Sequence, residues 1–290
     1  MAVAVPALPA GQTPAARAVR QFGRHRAAVA GLAVLVLAVA VSAAAPLLAP
    51  YSPNAFDMGH TTAAPSRAHP LGTDELGRDV LSRLIWGGRN TLLVTGAAVA
   101  IAFVSGSALG VVAGYRGGAA DTAIMRIMDV LLALPGFLLA VAIIAALGPS
   151  MGNVIIAIGV NSIPPFARIA RGSTLLVREE VYVQAARTLG ASERLIMARH
   201  VFPNILSPLV VEATLRLATA ILTVSGLSFL GLGVQPPTPE WGAMMSIGRD
   251  YITSSPQLVV VPGLVILVVT LAFNMVGDGL RDALDPRQRA

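Results

Sequence analysis

The sequence predicts an all-α polytopic membrane protein with six spanning helices. Three observations carry this expectation. Of 290 residues, 55% are hydrophobic and only 12% are charged, whereas soluble domains are about a quarter charged. Several uncharged runs reach the roughly 20 apolar residues that cross a bilayer. The arginines between the runs are unevenly shared between the two sides.

The first run is Val29–Ala49. Its "VSAAAP" end offers small residues for signal cleavage, but the preceding segment is long and the run has full spanning length. Both features predict an uncleaved span. A long loop follows, from about Pro50 to Thr91. Its first half is punctuated by Pro and Gly and reads as irregular. Its second half, "TDELGRDVLSRLIWGG", gathers Val80, Leu81, Leu84 and Ile85 on one helical face. This predicts a short helix on the outer membrane surface, packing against neighbouring spans being the competing reading.

Leu92–Val112 is the second span. Together with the residues just past its end it carries Gly106, Gly110 and Gly114 at four-residue spacing, which lets two helix backbones approach closely. Ile127–Leu147 is the third, with Asp129 near one end and Pro135 inside. The fourth, Met151–Ala170, holds Asn161 and Ser162 beside Pro164 and Pro165. Two prolines remove two backbone donors and predict a break or kink. Irregular backbone at membrane depth needs protein or water to satisfy it, so Asn161 and Ser162 are candidate pathway residues, with a purely structural kink as the alternative. The fifth, Ile205–Leu232, places Glu212 and Arg216 four apart on one face, a candidate intramembrane pair. Leu258–Gly277 is the sixth.

All 21 basic residues counted are arginines. With the N-terminus inside, fifteen lie in inner segments and five in outer ones, Arg216 being within a span. The positive-inside rule favours that orientation, both termini being cytoplasmic. The same rule accounts for the net charge of +6 better than nucleic-acid binding does, since aromatics do not interleave with the arginines. Without lysine there is no P-loop, and without cysteine no thiol nucleophile, disulfide or Cys-based metal site. The four histidines are scattered, and no nucleophile, base and oxyanion hole assemble. No catalytic residue and no metal site are expected.

One polar stretch interrupts the chain, "YVQAARTLGASERLIMARHVFPN", Tyr182–Asn204. Ser173 is expected to cap a helix running to about Leu189, with Tyr182, Ala185, Ala186 and Leu189 on its apolar face. Gly190 supplies a left-handed cap. Ser192 caps a second helix with Leu195, Ala198 and Phe202 on its face, ended by Pro203. A basic loop of this length is uncommon without function. It reads as a docking element for a cytoplasmic partner, against an amphipathic pair resting on the inner membrane surface.

At these residues the sequence resembles the coupling loop, or EAA loop, of ABC-importer permeases. The family pattern maps onto Gln184, Ala185, Ala186, Gly190 and Pro203, with Arg187 inside it. Gln184 stands where the family has Glu, so a salt bridge from that position is not expected. "HPLGTDELGRDVLSRLIWGGRNTL", "GLSFLGLGVQPPTPEWG" and "FNMVGDGLRDALDPR" are similar to the C-type permeases of dipeptide and oligopeptide importers, over nearly the whole chain. The resemblance implies a type I importer core of five helices plus an extra N-terminal helix. Its segments would be a cytoplasmic tail (1–26), first span and extracytoplasmic loop (27–91), core (92–280) with the coupling loop at about 173–204, and a C-terminal tail (281–290). It also implies a subunit of the bacterial plasma membrane that binds no cofactor. ATP and Mg would be held by two partner ATPase domains, a homologous B-type permease would complete the pore, and an extracytoplasmic binding protein would deliver peptide. Nickel, glutathione or another small solute is the alternative cargo. A secondary transporter, resting on Glu212 and Arg216, is the alternative class.

Overall fold

The computed structural model describes residues 14–284, and side chains from residue 19. Arg287 and Arg289, which count toward the orientation of the chain, lie outside the described residues. Twelve α-helices are present among them: α1 (Pro14–Arg24), α2 (Arg26–Ala43), α3 (Ala45–Leu48), α4 (Val80–Arg116), α5 (Gly118–Leu132), α6 (Gly136–Leu147), α7 (Met151–Val177), α8 (Val181–Thr188), α9 (Glu193–Ile196), α10 (Phe202–Phe229), α11 (Trp241–Gly248) and α12 (Gln257–Leu284). The described residues hold no strand beyond one isolated bridge, Thr73 with Asp79.

The six expected spans correspond to α2, α4, α7, α10 and α12, each long and apolar enough to cross a membrane, plus the pair α5–α6, bent by 88°. The bend falls at Pro135, the N-cap of α6. A proline there removes a donor and fixes φ, so the helix restarts in a new direction. The segment expected as the third span is therefore two short helices at a sharp angle rather than one rod.

The expected outer surface helix does not exist as a separate element. Its residues are the first turns of α4, a 37-residue helix. Val80, Ser82 and Arg83 are buried. Asp79 caps the helix by accepting from the Ser82 N–H and hydroxyl, both at 2.7 Å. Its other oxygen lies 2.9 Å from His69 Nδ1. Arg83 donates to the Pro53 carbonyl at 2.9 Å, and Arg78 pairs with Asp74 and Glu75, each at 2.7 Å. The loop 50–79 thus folds over the start of α4 and shelters its charges. Packing against neighbours, the competing reading, is the one realised.

The small-residue stripe of α4 packs on α7, and the two helices run parallel. A methyl group on Gly106 would sit 2.7 Å from Phe166 Cβ, and one on Gly114 2.9 Å from Thr174 Cβ. Backbones approach there because glycine leaves no side chain in the way. Pro164 and Pro165 do not break α7, which stays helical through both. The N-terminal segment is more than a tail. His25 caps α2 by accepting from the Ala28 N–H at 3.2 Å, Phe22 packs toward Gly279, and His25 Nε2 lies 3.7 Å from Asp282. One end of the bundle therefore carries α1, α8, α9 and most of the arginines. The opposite end carries residues 50–79 and α11.

Candidate functional site

The polar stretch folds at the arginine-rich end. Ser173 is interior to α7, which continues to Val177, so it caps nothing. A turn at 178–180 follows, and α8 begins after Glu180. The apolar face of α8 is rotated from the expected one. Val183 is fully buried, whereas Tyr182 is 42% and Leu189 86% exposed. Burying one valine contributes about 1.5–3 kcal/mol, enough to seat a helix of two turns. Ala186 packs inward beside Val183, while Ala185 faces out.

Gly190 ends α8 with φ +80°. The Ala191 N–H donates to Ala186 O at 3.1 Å and the Gly190 N–H to Arg187 O at 3.0 Å. This is the doubled Schellman closure, which needs a left-handed residue at that position. Ser192 caps α9, accepting from the Leu195 N–H at 3.4 Å. The buried face of the second helix is Ile196 and Val201, with Phe202 packed beside them. Leu195, by contrast, is 47% exposed. Pro203 ends nothing. It occupies the first turn of α10, preceded by a wide π turn over Met197–Val201, where the Phe202 N–H reaches Met197 O. The proline lacks an N–H, and the widened turn accommodates that gap.

Of the expected coupling residues, Gln184 and Arg187 border one cavity, whereas Pro203 lies apart at the start of α10 and lines another. Gln184 spends its amide internally, donating to Arg178 O at 3.0 Å. Arg178 in turn donates to Gly114 O at 2.8 Å, satisfying the C-terminus of α4. The Arg187 guanidinium lies 5.4 Å from the centre of the Tyr115 ring, a stacking contact that suits arginine. Arg116 pairs with Glu193 at 3.5 Å. These groups surround an open cavity of about 760 Å³. The loop is therefore tied to the end of α4 and is continuous with α10. Around it Val181, Leu176 and Leu189 stand more than three-quarters exposed, an apolar rim of the kind that marks a contact surface. Sequence reasoning missed Tyr115, Arg178, Val183 and Ile196. Val183 lies one position from the expected face, and in an eight-residue helix periodicity separates adjacent faces poorly.

The other candidates sit apart. Asn161 is half-buried, and a methyl on Gly136 at the α5–α6 break would lie 2.8 Å from its amide nitrogen. Ser162 is 5% exposed and turned into the bundle. Glu212 and Arg216 form an ion pair within α10, their side chains 12% and 34% exposed. Glu212 lines a second open cavity of about 730 Å³ with Pro203, Asn204, Pro208 and Arg281. Among the described residues no group of acidic residues or histidines could hold a metal.

A bundle of this kind, with a helical loop braced beneath its core, defines a transport permease. The chain belongs to the family of binding-protein-dependent transport system inner membrane components, whose model matches residues 106–290. The N-terminal transmembrane domain of oligopeptide transport permease C matches residues 13–65. It is 46% identical over 273 residues to the glutathione transport system permease protein GsiD of Pectobacterium atrosepticum, covering 93% of this chain and 90% of that one. It is 46% identical over 274 residues to the di/tripeptide transport system permease protein DppC of Pseudomonas aeruginosa, covering 92% and 90%. With the dipeptide permease DppC of Alkalihalophilus pseudofirmus it shares 42% over 278 residues, covering 96% and 91%. Among solved structures, an inward-facing form of the MetNI methionine ABC transporter superposes with a TM-score of 0.56 at 21% identity, covering 71% of this chain and 98% of that one. That likeness concerns the fold. The chain is a multi-pass membrane protein and a permease subunit of ABC-importer type.

Proposed function

We propose that this chain is the membrane-spanning subunit of an ATP-driven importer of di- and oligopeptides, working by alternating access with both termini in the cytoplasm. The observation that carries this is the loop 178–201. It is held to α4 by Arg178 and Arg187 and runs without interruption into α10. Displacement of α8 by a docked ATPase would move two spanning helices together. The apolar rim at Val181 and Leu189 would be covered by that ATPase. A homologous B-type permease, two ATPase domains holding ATP and Mg, and an extracytoplasmic binding protein complete the assembly.

Gln184 is neutral and so carries no charge to the partner, and its amide N–H is already used within the loop. Docking then rests on shape and apolar contact. Peptide cargo is supported by the two DppC relatives. Glutathione, itself a modified tripeptide, is the second reading and is supported by the GsiD relative.

The loop is tested in the reconstituted complex. Gly190→Pro removes both the left-handed residue and an N–H donor of the closure. Leu189→Asp places a charge in the apolar rim. Each is expected to leave membrane levels normal and to lower ATP-dependent uptake and stimulated hydrolysis at least tenfold. Normal uptake in both variants contradicts the docking assignment. Competition of labelled dipeptide uptake by glutathione separates the two cargo readings.

A further inference from the structure

The short helix α1 precedes the first span, and tertiary contacts fix how it lies. Arg17, Arg20 and Arg24 recur at three- and four-residue spacing, so these positions fall in one stripe of the helix. The positions Ala15, Ala18 and Phe22 repeat that spacing on the opposite side. Phe22 packs at Gly279 of α12, where a methyl would lie 3.2 Å from its ring. The Gln21 amide donates to Asp282 O at 3.2 Å, and His25 Nε2 lies 3.7 Å from the Asp282 carboxylate. Phe22 and Ala28 meet the same Gly279 although they stand six positions apart. The chain therefore turns at His25, and α1 lies against the end of α12 instead of running straight on from α2.

The level of this helix follows from α2. Its 18 residues at 1.5 Å each cover about 27 Å, close to the ~30 Å hydrocarbon thickness. Arg26, the first residue of α2, stands at the hydrocarbon boundary, so α1, ending two residues earlier, lies in the headgroup layer. Val29, Leu32 and Val36 form an exposed apolar stripe on α2 directly beside it, as a span facing acyl chains does. Arg20, Arg24 and Arg26 are exposed and have no ion-pair partner among the described residues. Val19, on the flank of the arginine stripe, is 73% exposed. Asp278 and Asp282 at the end of α12 are outnumbered by Arg20, Arg24, Arg26 and Arg281, and Asp282 is engaged by His25. A basic stripe with an exposed apolar flank, held beside the end of a span, is complementary to an anionic lipid surface.

We propose that α1 is a binding surface for anionic phospholipid headgroups, with Arg20, Arg24 and Arg26 taking lipid phosphates of the leaflet at the arginine-rich end. Val19 enters among the upper acyl carbons. The contacts of Gln21, Phe22 and His25 with α12 tie that lipid contact to the last spanning helix. The proposal concerns the lipid and holds for any cargo.

The chain has no cysteine, so Val19→Cys carries a single fluorophore in the full complex, its partner chains made cysteine-free. Gly23→Cys, with open space beside it, carries the probe if the first variant fails to assemble. Nanodiscs contain phosphatidylcholine with a minority of phosphatidylglycerol, and a nitroxide quencher near the headgroup is borne by one lipid or the other at equal mole fraction. Nitroxide on phosphatidylglycerol is expected to quench at least threefold more strongly than nitroxide on phosphatidylcholine. That preference should vanish in 1 M salt, where the Debye length is about 3 Å. It should fall below twofold in Arg20→Gln/Arg24→Gln and persist in Arg194→Gln/Arg199→Gln, which removes charge from the loop 178–201 instead. No quenching by either lipid would mean that protein or bulk water covers α1, and equal quenching by both would mean contact without charge selection; either overturns the proposal. So does a preference that survives the loss of Arg20 and Arg24, or one that falls equally with the loss of Arg194 and Arg199.

Discussion

Glu240 illustrates how single residues set the geometry at the end opposite the loop. It is fully buried outside the spanning helices and caps α11, accepting from the Ala243 N–H at 2.9 Å while meeting the Thr91 hydroxyl at 3.0 Å. Burial pushes its carboxyl above the ordinary range, against the opposing pull of the N–H groups of Gly242 and Ala243 and the hydroxyls of Ser228 and Thr91. A raised folded-state pKa means that the folded chain holds its proton longer than the unfolded one. The associated stability is therefore complete below the unfolded value and is lost as pH rises through the folded one. Glu240→Gln keeps the shape without the charge, so its detergent melting temperature should match wild type at low pH and depend less on pH above it. Glu240→Ala removes the cap and leaves partners orphaned, and should cost about 1–3 kcal/mol. An unchanged pH slope in the Gln variant contradicts the assignment.

Among the elements, the contact of α4 with another helix was legible in the sequence because glycine spacing states a packing distance. A methyl on Gly110 would meet Ala170 Cβ at 2.6 Å, whereas one on Gly96 of the same helix meets nothing within 4 Å. Gly110→Leu should lower the melting temperature and impair assembly, overpacking costing about 1–3 kcal/mol or more. Gly96→Ala should be neutral or slightly stabilising, by up to about 1 kcal/mol. Equal melting shifts for the two would contradict close packing at Gly110. The prolines divide differently. Pro135 stops a helix, while Pro164 and Pro165 do not and Pro203 merely follows a widened turn. Removing a donor is a local fact; whether the ladder survives depends on what packs around it. The outer amphipathic segment is helical, as its periodicity predicts, but is buried at the start of α4 rather than laid on the membrane. Pro53, whose carbonyl Arg83 reaches, is thirty residues away in sequence, beyond the reach of local pattern.

For the whole molecule, the uneven arginines predict one orientation, and it is directly measurable. Leu189→Cys and Thr61→Cys, both exposed, should label with an impermeant thiol reagent from opposite sides: position 189 in inverted vesicles and position 61 in intact, wall-permeabilised cells. The reverse pattern would place the loop 178–201 outside and remove it from any ATPase. By itself the sequence determined the properties set by composition and short spacing: the α-helical membrane class, the number of apolar runs, the glycine stripe, the left-handed cap at Gly190 and the absence of a P-loop. Those properties depend on residues that are neighbours along the chain or on a bilayer of known thickness. Only the tertiary structure decided which face of α8 is buried, that Gln184 is satisfied within the loop, that Arg178 and Tyr115 tie the loop to α4, and that Asp129 meets Arg168 across 39 positions. Each of those depends on how the chain packs, and most of them on partners far apart in sequence that meet only when the helices have come together.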